Sequence, residues 1–204
     1  MSQTRPLDAL LNSRHLWRGV HTHVPDVAES TGHAALDAAL PLGGWPAHSL
    51  IEILLGADGV GELDLLMPTL ARLTGAAREV LLVSPPYIAY APAWQARGVE
   101  LAHLHVVETS GRHTAWAFEQ ALRAGCCAAV IAWPEVLDPT GLRRLQLVAA
   151  AGQVLGFVIR DSKFAANASP AALRLELLQN RCVLIRKCRG GMPASRPVVI
   201  TPAH

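Results

Sequence analysis

Short, uniformly apolar runs alternate with helical patterns from residue 50 to residue 159, and this alternation constrains the fold more than any other feature. Leu50-Ile51-Glu52-Ile53-Leu54-Leu55, Val80-Leu81-Leu82-Val83, Leu104-His105-Val106-Val107, Ala128–Trp133 and Val154–Ile159 have strand length. Helical patterns fill the intervals over 62–74, 89–97, 114–124 and 139–151, with Leu63, Leu66, Leu70 and Leu73 falling on one face of the first. Strands that are apolar throughout are covered on both faces. The pattern predicts an α/β domain with a central, mostly parallel sheet flanked by helices. After Ser162 the character changes. Leu173–Leu178, Val183–Arg186 and Val198–Thr201 read as a small C-terminal β appendage around the turn Arg189-Gly190-Gly191.

The 204 residues, 51% of them hydrophobic, suffice for one sizeable core and exclude wholesale disorder. The apolar stretches at 126–134 and 153–159 fall short of the roughly 20 residues that cross a bilayer. Arg5, Asp8 and Arg14 interrupt any apolar leader, so a cytoplasmic protein with reduced thiols is expected. Its four cysteines, Cys126, Cys127, Cys182 and Cys188, have no C-x-x-C spacing. The chain divides into an amphipathic N-terminal segment and linker over 1–28, a core over 29–162, and the β appendage with a basic tail over 163–204. Within the first segment, Leu7, Leu10, Leu11 and Leu16 recur near helical spacing before Trp17.

Charge is unevenly placed. Every acidic residue lies at or before Glu176, whereas Arg181, Arg186, Lys187, Arg189 and Arg196 follow it. The basic end is expected to contact a partner, either nucleic acid or an acidic protein surface. His21-x-His23 and His103-x-His105 have the spacing of a metal clip, but no third ligand accompanies either pair, so no metal is expected. Ser84, Ser110 and Ser162 have no nucleophile setting. Cys126-Cys127 opens a buried strand and reads as packing. The aromatics form no base-stacking platform interleaved with basic residues. Tyr87 and Tyr90 fit either a core or an interface.

The segment Ser30-Thr31-Gly32-His33-Ala34-Ala35-Leu36-Asp37, continuing into Gly43-Gly44-Trp45-Pro46 and Leu50-Ile51-Glu52, resembles the approach to a RecA-type ATPase core. The likeness runs through Gln95-Ala96-Arg97-Gly98-Val99 and Ala121–Gly125 and covers roughly residues 30–160. The resemblance implies a phosphate loop after the first strand, where Gly56-Ala57-Asp58-Gly59-Val60-Gly61-Glu62-Leu63 stands. A working loop reads G-x-x-x-x-G-K-[ST], its backbone N–H groups cradling phosphate, its Lys reaching the β- and γ-phosphates and its hydroxyl holding Mg²⁺.

Gly56 and Gly61 keep that frame, but Glu62 replaces the Lys and Leu63 the hydroxyl residue. A unit charge about 4 Å from an anion is worth about 4 kcal/mol at an effective dielectric near 20, so the reversal is costly. The strand 128–133 ends in Trp133-Pro134 where a magnesium-organising Asp belongs. The strand 80–83 leads to Ser84-Pro85-Pro86 where a water-activating Glu belongs. The expectation is a pseudo-ATPase without cofactor or catalytic residues.

A degenerate core of this length with a basic Arg-Gly-Gly tail is similar to the ImuA family, and over 50–160 it is also similar to the cell-division inhibitor SulA. The ImuA resemblance implies an accessory role in SOS-induced mutagenic translesion DNA synthesis, with association at the nucleoid after DNA damage. Its implied partners are RecA, ImuB and, indirectly, the error-prone replicative-type polymerase subunit. The SulA resemblance implies the tubulin homologue FtsZ instead. By analogy with RecA-like association, Leu10, Leu11 and Trp17 are expected at one partner surface. Arg186, Lys187 and Arg189 are expected at another, where they also offer a DNA contact.

Overall fold

The computed structural model describes residues 28–192 and 196–200, except positions 58, 60 and 89. The expected partner residues Leu10, Leu11 and Trp17 lie outside the described residues, as does Asp58. Two short strands, β1 (Ala28–Glu29) and β2 (Trp45–Pro46), pair antiparallel around helix α1 (Ala34–Ala39). The remaining strands form one eight-stranded sheet. They are β3 (Leu50–Leu55), β4 (Val80–Val83), β5 (Leu104–Val107), β6 (Ala129–Ala132), β7 (Leu155–Asp161), β8 (Leu173–Leu178), β9 (Cys182–Cys188) and β10 (Val198–Val199).

Strand order is β10-β9-β8-β3-β7-β6-β4-β5. All pairings from β8 to β5 are parallel, while β9 and β10 join antiparallel. The α/β architecture with a mostly parallel sheet is therefore as the apolar runs predict. The residues after Ser162 extend this same sheet: β8 pairs directly with β3, Ile51 opposite Leu173.

Helix α2 (Glu62–Gly75) and the short α3 (Ala91–Gln95) cover one face. Leu66, Leu70 and Trp94 pack there with Ile51, Ile53 and Phe157. Helices α4 (Arg112–Ala124) and α5 (Pro139–Gly152) cover the other, where Phe118, Leu122 and Leu145 meet Val130 and Val158. Helix α5 starts at Pro139, whose missing N–H costs nothing at a first turn, and the Asp138 side chain accepts from Gly141 N. Gln146 of α5 accepts from the backbone N–H of both Leu50 and Ala172, fixing the starts of β3 and β8.

The Ser30–Pro46 segment is clamped to α2. Trp45 Nε1 donates to Thr69 Oγ1 at 2.8 Å, and its ring meets Phe157 edge-on at 5.2 Å. His33 Nε2 lies 3.1 Å from the Leu65 carbonyl. Gly32 has φ +82, and a Cβ there would stand 2.2 Å from Pro68 Cβ. Only glycine satisfies both the dihedral and that approach.

Candidate functional site

The chain leaves β3 and β4 toward the α2 face, but it leaves β6 toward the α5 face. Such a reversal opens a crevice at the carboxyl ends of parallel strands, where α/β sheets bind ligands. A cavity of about 590 Å³ lies there, walled by the loops after β3, β4, β5, β6 and β7. Those loops include Gly56, Ser84-Pro85-Pro86 and Trp133-Pro134, so the residues after β4 and β6 singled out in the sequence meet at one place, whereas Glu62 and Leu63 do not line it.

Two described backbone N–H groups of the loop after β3 are satisfied by its own chain. Glu62, the first residue of α2, turns its carboxylate back so that Gly59 N donates to Oε1 at 3.1 Å and Gly61 N to Oε2 at 3.2 Å. Its side chain is buried. An anion at a helix N-terminus meets the positive end of the helix dipole and orphan N–H groups. Here that anion belongs to the protein. Gly61 takes φ +109, which lets the loop close over the carboxylate.

On the opposite wall, Ser84 holds φ +51, a conformation that costs a non-glycine residue energy. Its hydroxyl accepts from Thr109 N at 3.0 Å and lies 2.7 Å from Thr109 Oγ1, with Thr114 Oγ1 at 3.3 Å. Trp133 directly follows β6, lines the cavity and packs against the core under α2. The Nε1–H is buried and has no hydrogen-bond acceptor among the described residues.

Beneath the cavity lies a charged group that sequence reasoning missed. Glu52 is wholly buried in the middle of β3. Arg160 Nη1 donates to its Oε1 at 3.0 Å, and Arg174 Nε stands 2.9 Å from Oε2 without a hydrogen-bond alignment. Both guanidiniums are about as buried, with side chains 6% exposed. Arg174 also donates to the carbonyls of Phe164, Ala165 and Asn167, and Arg160 to that of Leu137 beneath the Phe164 ring. The signal was available: a charged residue inside an apolar strand demands a buried partner, and Glu52 and Arg160 each adjoin such a run.

The basic end is less free than expected. A bulge between Arg174 and Leu175 leaves Arg186 as the extra residue of β9. Arg186 Nε donates to Glu176 at 2.6 Å, and Lys187 Nζ to the Ser169 carbonyl at 2.7 Å. Partial burial, with Arg189 and Arg174 nearby, lowers the Lys187 pKa. Arg189 is exposed beside the Gly190 turn, at φ +86.

Tyr87 and Tyr90, for which the sequence left two readings open, are 67% and 69% exposed, and Ile88 between them is 94% exposed. The histidine pair 103 and 105 converges on Glu79, at 3.0 and 2.6 Å. Among the described residues no cluster is arranged to hold a metal ion. Cys126 and Cys127 differ from the expected buried packing, since Cys126 is exposed and Cys127 half-buried, with sulfurs 3.9 Å apart. Desolvation, then Cys126, pushes the Cys127 thiol up to about 12, far from a reactive thiolate.

The family model described as the cell division inhibitor SulA matches residues 50–156, from β3 to the start of β7. The chain belongs to the SulA family. Among solved structures, this SulA-family chain is similar to the crystal structure of SulA from Pseudomonas aeruginosa, with 23% identity and a TM-score of 0.45 over 54% of this chain and 96% of that one. No curated protein matches it. Among its described residues, no helix is long and apolar enough to cross a membrane.

Proposed function

We propose that this SulA-family chain is a non-catalytic accessory protein of SOS-induced mutagenic translesion DNA synthesis, of the ImuA type. It acts as a RecA-like adaptor that associates with RecA and ImuB and so supports an error-prone polymerase. The observation that carries the non-catalytic reading is the Glu62 carboxylate on Gly59 N and Gly61 N. A phosphate entering this loop must displace a buried anion that the backbone already solvates. Ser84 and Trp133 also supply no carboxylate for Mg²⁺ or for an attacking water.

The ordered Ser30–Pro46 segment and the Arg186–Gly191 end lie outside the matched stretch 50–156. These are the parts whose sequence is similar to ImuA, and Trp45 and His33 tie the first of them into the core.

The second reading is a division inhibitor that binds FtsZ, favoured by the description of the family model. Purified RecA, ImuB and FtsZ presented to the chain in one binding panel separate the two. Association with RecA or ImuB and not FtsZ is the expected result. Binding to FtsZ alone, or filamentation of undamaged cells on overexpression, overturns the adaptor reading in favour of the inhibitor.

A further inference from the structure

We propose that the outer face of helices α4 and α5 binds single-stranded nucleic acid, with one base stacked on Trp116 and phosphates held by Arg112, Arg123, Arg143 and Arg144. The two helices form one continuous surface. They run parallel, each following a strand of the parallel part of the sheet. They approach so closely that a Cβ on Gly152 would stand 2.0 Å from the Leu122 carbonyl oxygen.

Arg112, Trp116, Glu119 and Arg123 recur at i, i+4, i+7 and i+11 and so share one stripe of α4. Trp116 is 61% exposed in the middle of that stripe. Among the described residues, no ring or cation covers its indole and no acceptor meets its N–H. The ring is therefore available to a ligand.

The face is strongly positive. The two helices carry four arginines against a single carboxylate, Glu119. Glu119 accepts from Arg123 Nη2 at 2.9 Å and from Arg144 Nε at 2.6 Å, so two guanidiniums share one negative charge. Their side chains remain 59% and 61% exposed. Each spends one of five N–H donors on Glu119 and keeps the others for a ligand. Arg112 and Arg143 are exposed and pair with no carboxylate among the described residues. Glu108, Glu135 and Asp138 precede the helices at their starting edge, where Asp138 caps Gly141 N. A polyanion crosses away from that edge, where arginines of both helices meet around Glu119.

Composition selects the guest. Trp116 and Leu147 are the large hydrophobic side chains exposed on these helices, and they stand among arginines. A protein interface puts an apolar centre inside a polar rim and depletes charge from that centre. Forked guanidiniums around one flat ring suit phosphates and an unstacked base instead. Bases inside a duplex are stacked on one another and offer Trp116 no free face. Half of the cations come from α5, so no single stretch of sequence displays this platform.

The test titrates the full chain, without any protein partner, into fluorescently labelled oligothymidylate and into a matching duplex. The single strand should bind more tightly than the duplex. Trp116→Ala is expected to weaken single-strand binding about fivefold or more, the loss of one stacked base. Arg112→Ala combined with Arg143→Ala should lower the slope of log affinity against log salt by about 1.4, at about 0.7 for each phosphate contact on a single strand. Both variants remove exposed groups that bond nothing within the described fold, so their melting temperatures should match the wild type.

No binding of oligothymidylate by the wild-type chain, tighter binding of the duplex, or single-strand binding that survives both variants overturns the proposal. So does loss of that binding in the triple alanine variant of Arg186, Lys187 and Arg189 alone, which assigns the strand to the C-terminal end. If the chain binds no oligothymidylate and Trp116→Ala instead weakens association with RecA, ImuB or FtsZ, the face belongs to a protein partner and the nucleic-acid site is refuted. The partner panel decides the adaptor reading separately.

Discussion

Arg160 on β7 reaches the carboxylate of Glu52 on β3 with Nη1 3.0 Å from Oε1, at a site sealed from solvent. Arg174 faces the same carboxylate from β8, where it is the register partner of Glu52. One residue thus joins three adjacent strands and, through the carbonyls that Arg174 holds, the segment 164–167.

Glu52→Gln leaves two guanidiniums buried without a carboxylate. Breaking a buried ion pair from one side typically costs about 3–5 kcal/mol. Urea denaturation of the variant should show a loss of this size. A cost below about 1 kcal/mol would mean that water already reaches the group.

The wild-type chain should show neither ATP turnover nor micromolar binding of ATP–Mg²⁺ by calorimetry. Glu62→Lys restores the charge of a working loop but places no carboxylate at Ser84 or Trp133. It should gain at most weak nucleotide affinity and no hydrolysis. Turnover by either protein would refute the account of the site.

Hydrogen bonds to His103 and then His105 hold the Glu79 pKa below its ordinary value of 4.5. A carboxylate with a depressed folded pKa stabilises above its unfolded pKa, and the contribution disappears as pH falls through the folded value. Glu79→Gln should therefore be less stable than the wild type near neutral pH. The difference should shrink as pH drops from about 4.5 toward the lower folded value. Paired urea titrations over that window measure it, and a difference independent of pH would contradict the assignment.

Arg186→Ala, Lys187→Ala and Arg189→Ala combined remove a half-exposed ion pair with Glu176 and one bond to a carbonyl. Such a pair is worth roughly 0–1 kcal/mol, so thermal stability should fall only slightly. Affinity for the partner should drop about tenfold, or about 1.4 kcal/mol, and what remains should be less sensitive to salt. Unchanged affinity would reduce this end of the chain to a solvated edge.

The alternation of apolar runs with 3.6-residue patterns was enough to read the α/β layering from sequence, because burial on both faces forces a strand such as Ala129–Ala132 to be apolar at every position. Residue identities alone also placed Ser84 and Trp133 at the ends of strands, since each lies at the end of its apolar run, and Glu62 at the start of the helical pattern that follows the first of them.

Only the tertiary structure decided how those residues behave. Whether Tyr87 is core or surface depends on what packs over its loop, which no local pattern encodes. The Glu62 side chain turns onto the N–H groups of Gly59 in the loop and Gly61 at the helix cap, a matter of geometry within one loop. Glu52 and Arg160 are 108 residues apart and meet because β7 is inserted beside β3. The sequence required Glu52 to find a buried cation; strand order, set by which crossovers run over which face, chose Arg160 and Arg174.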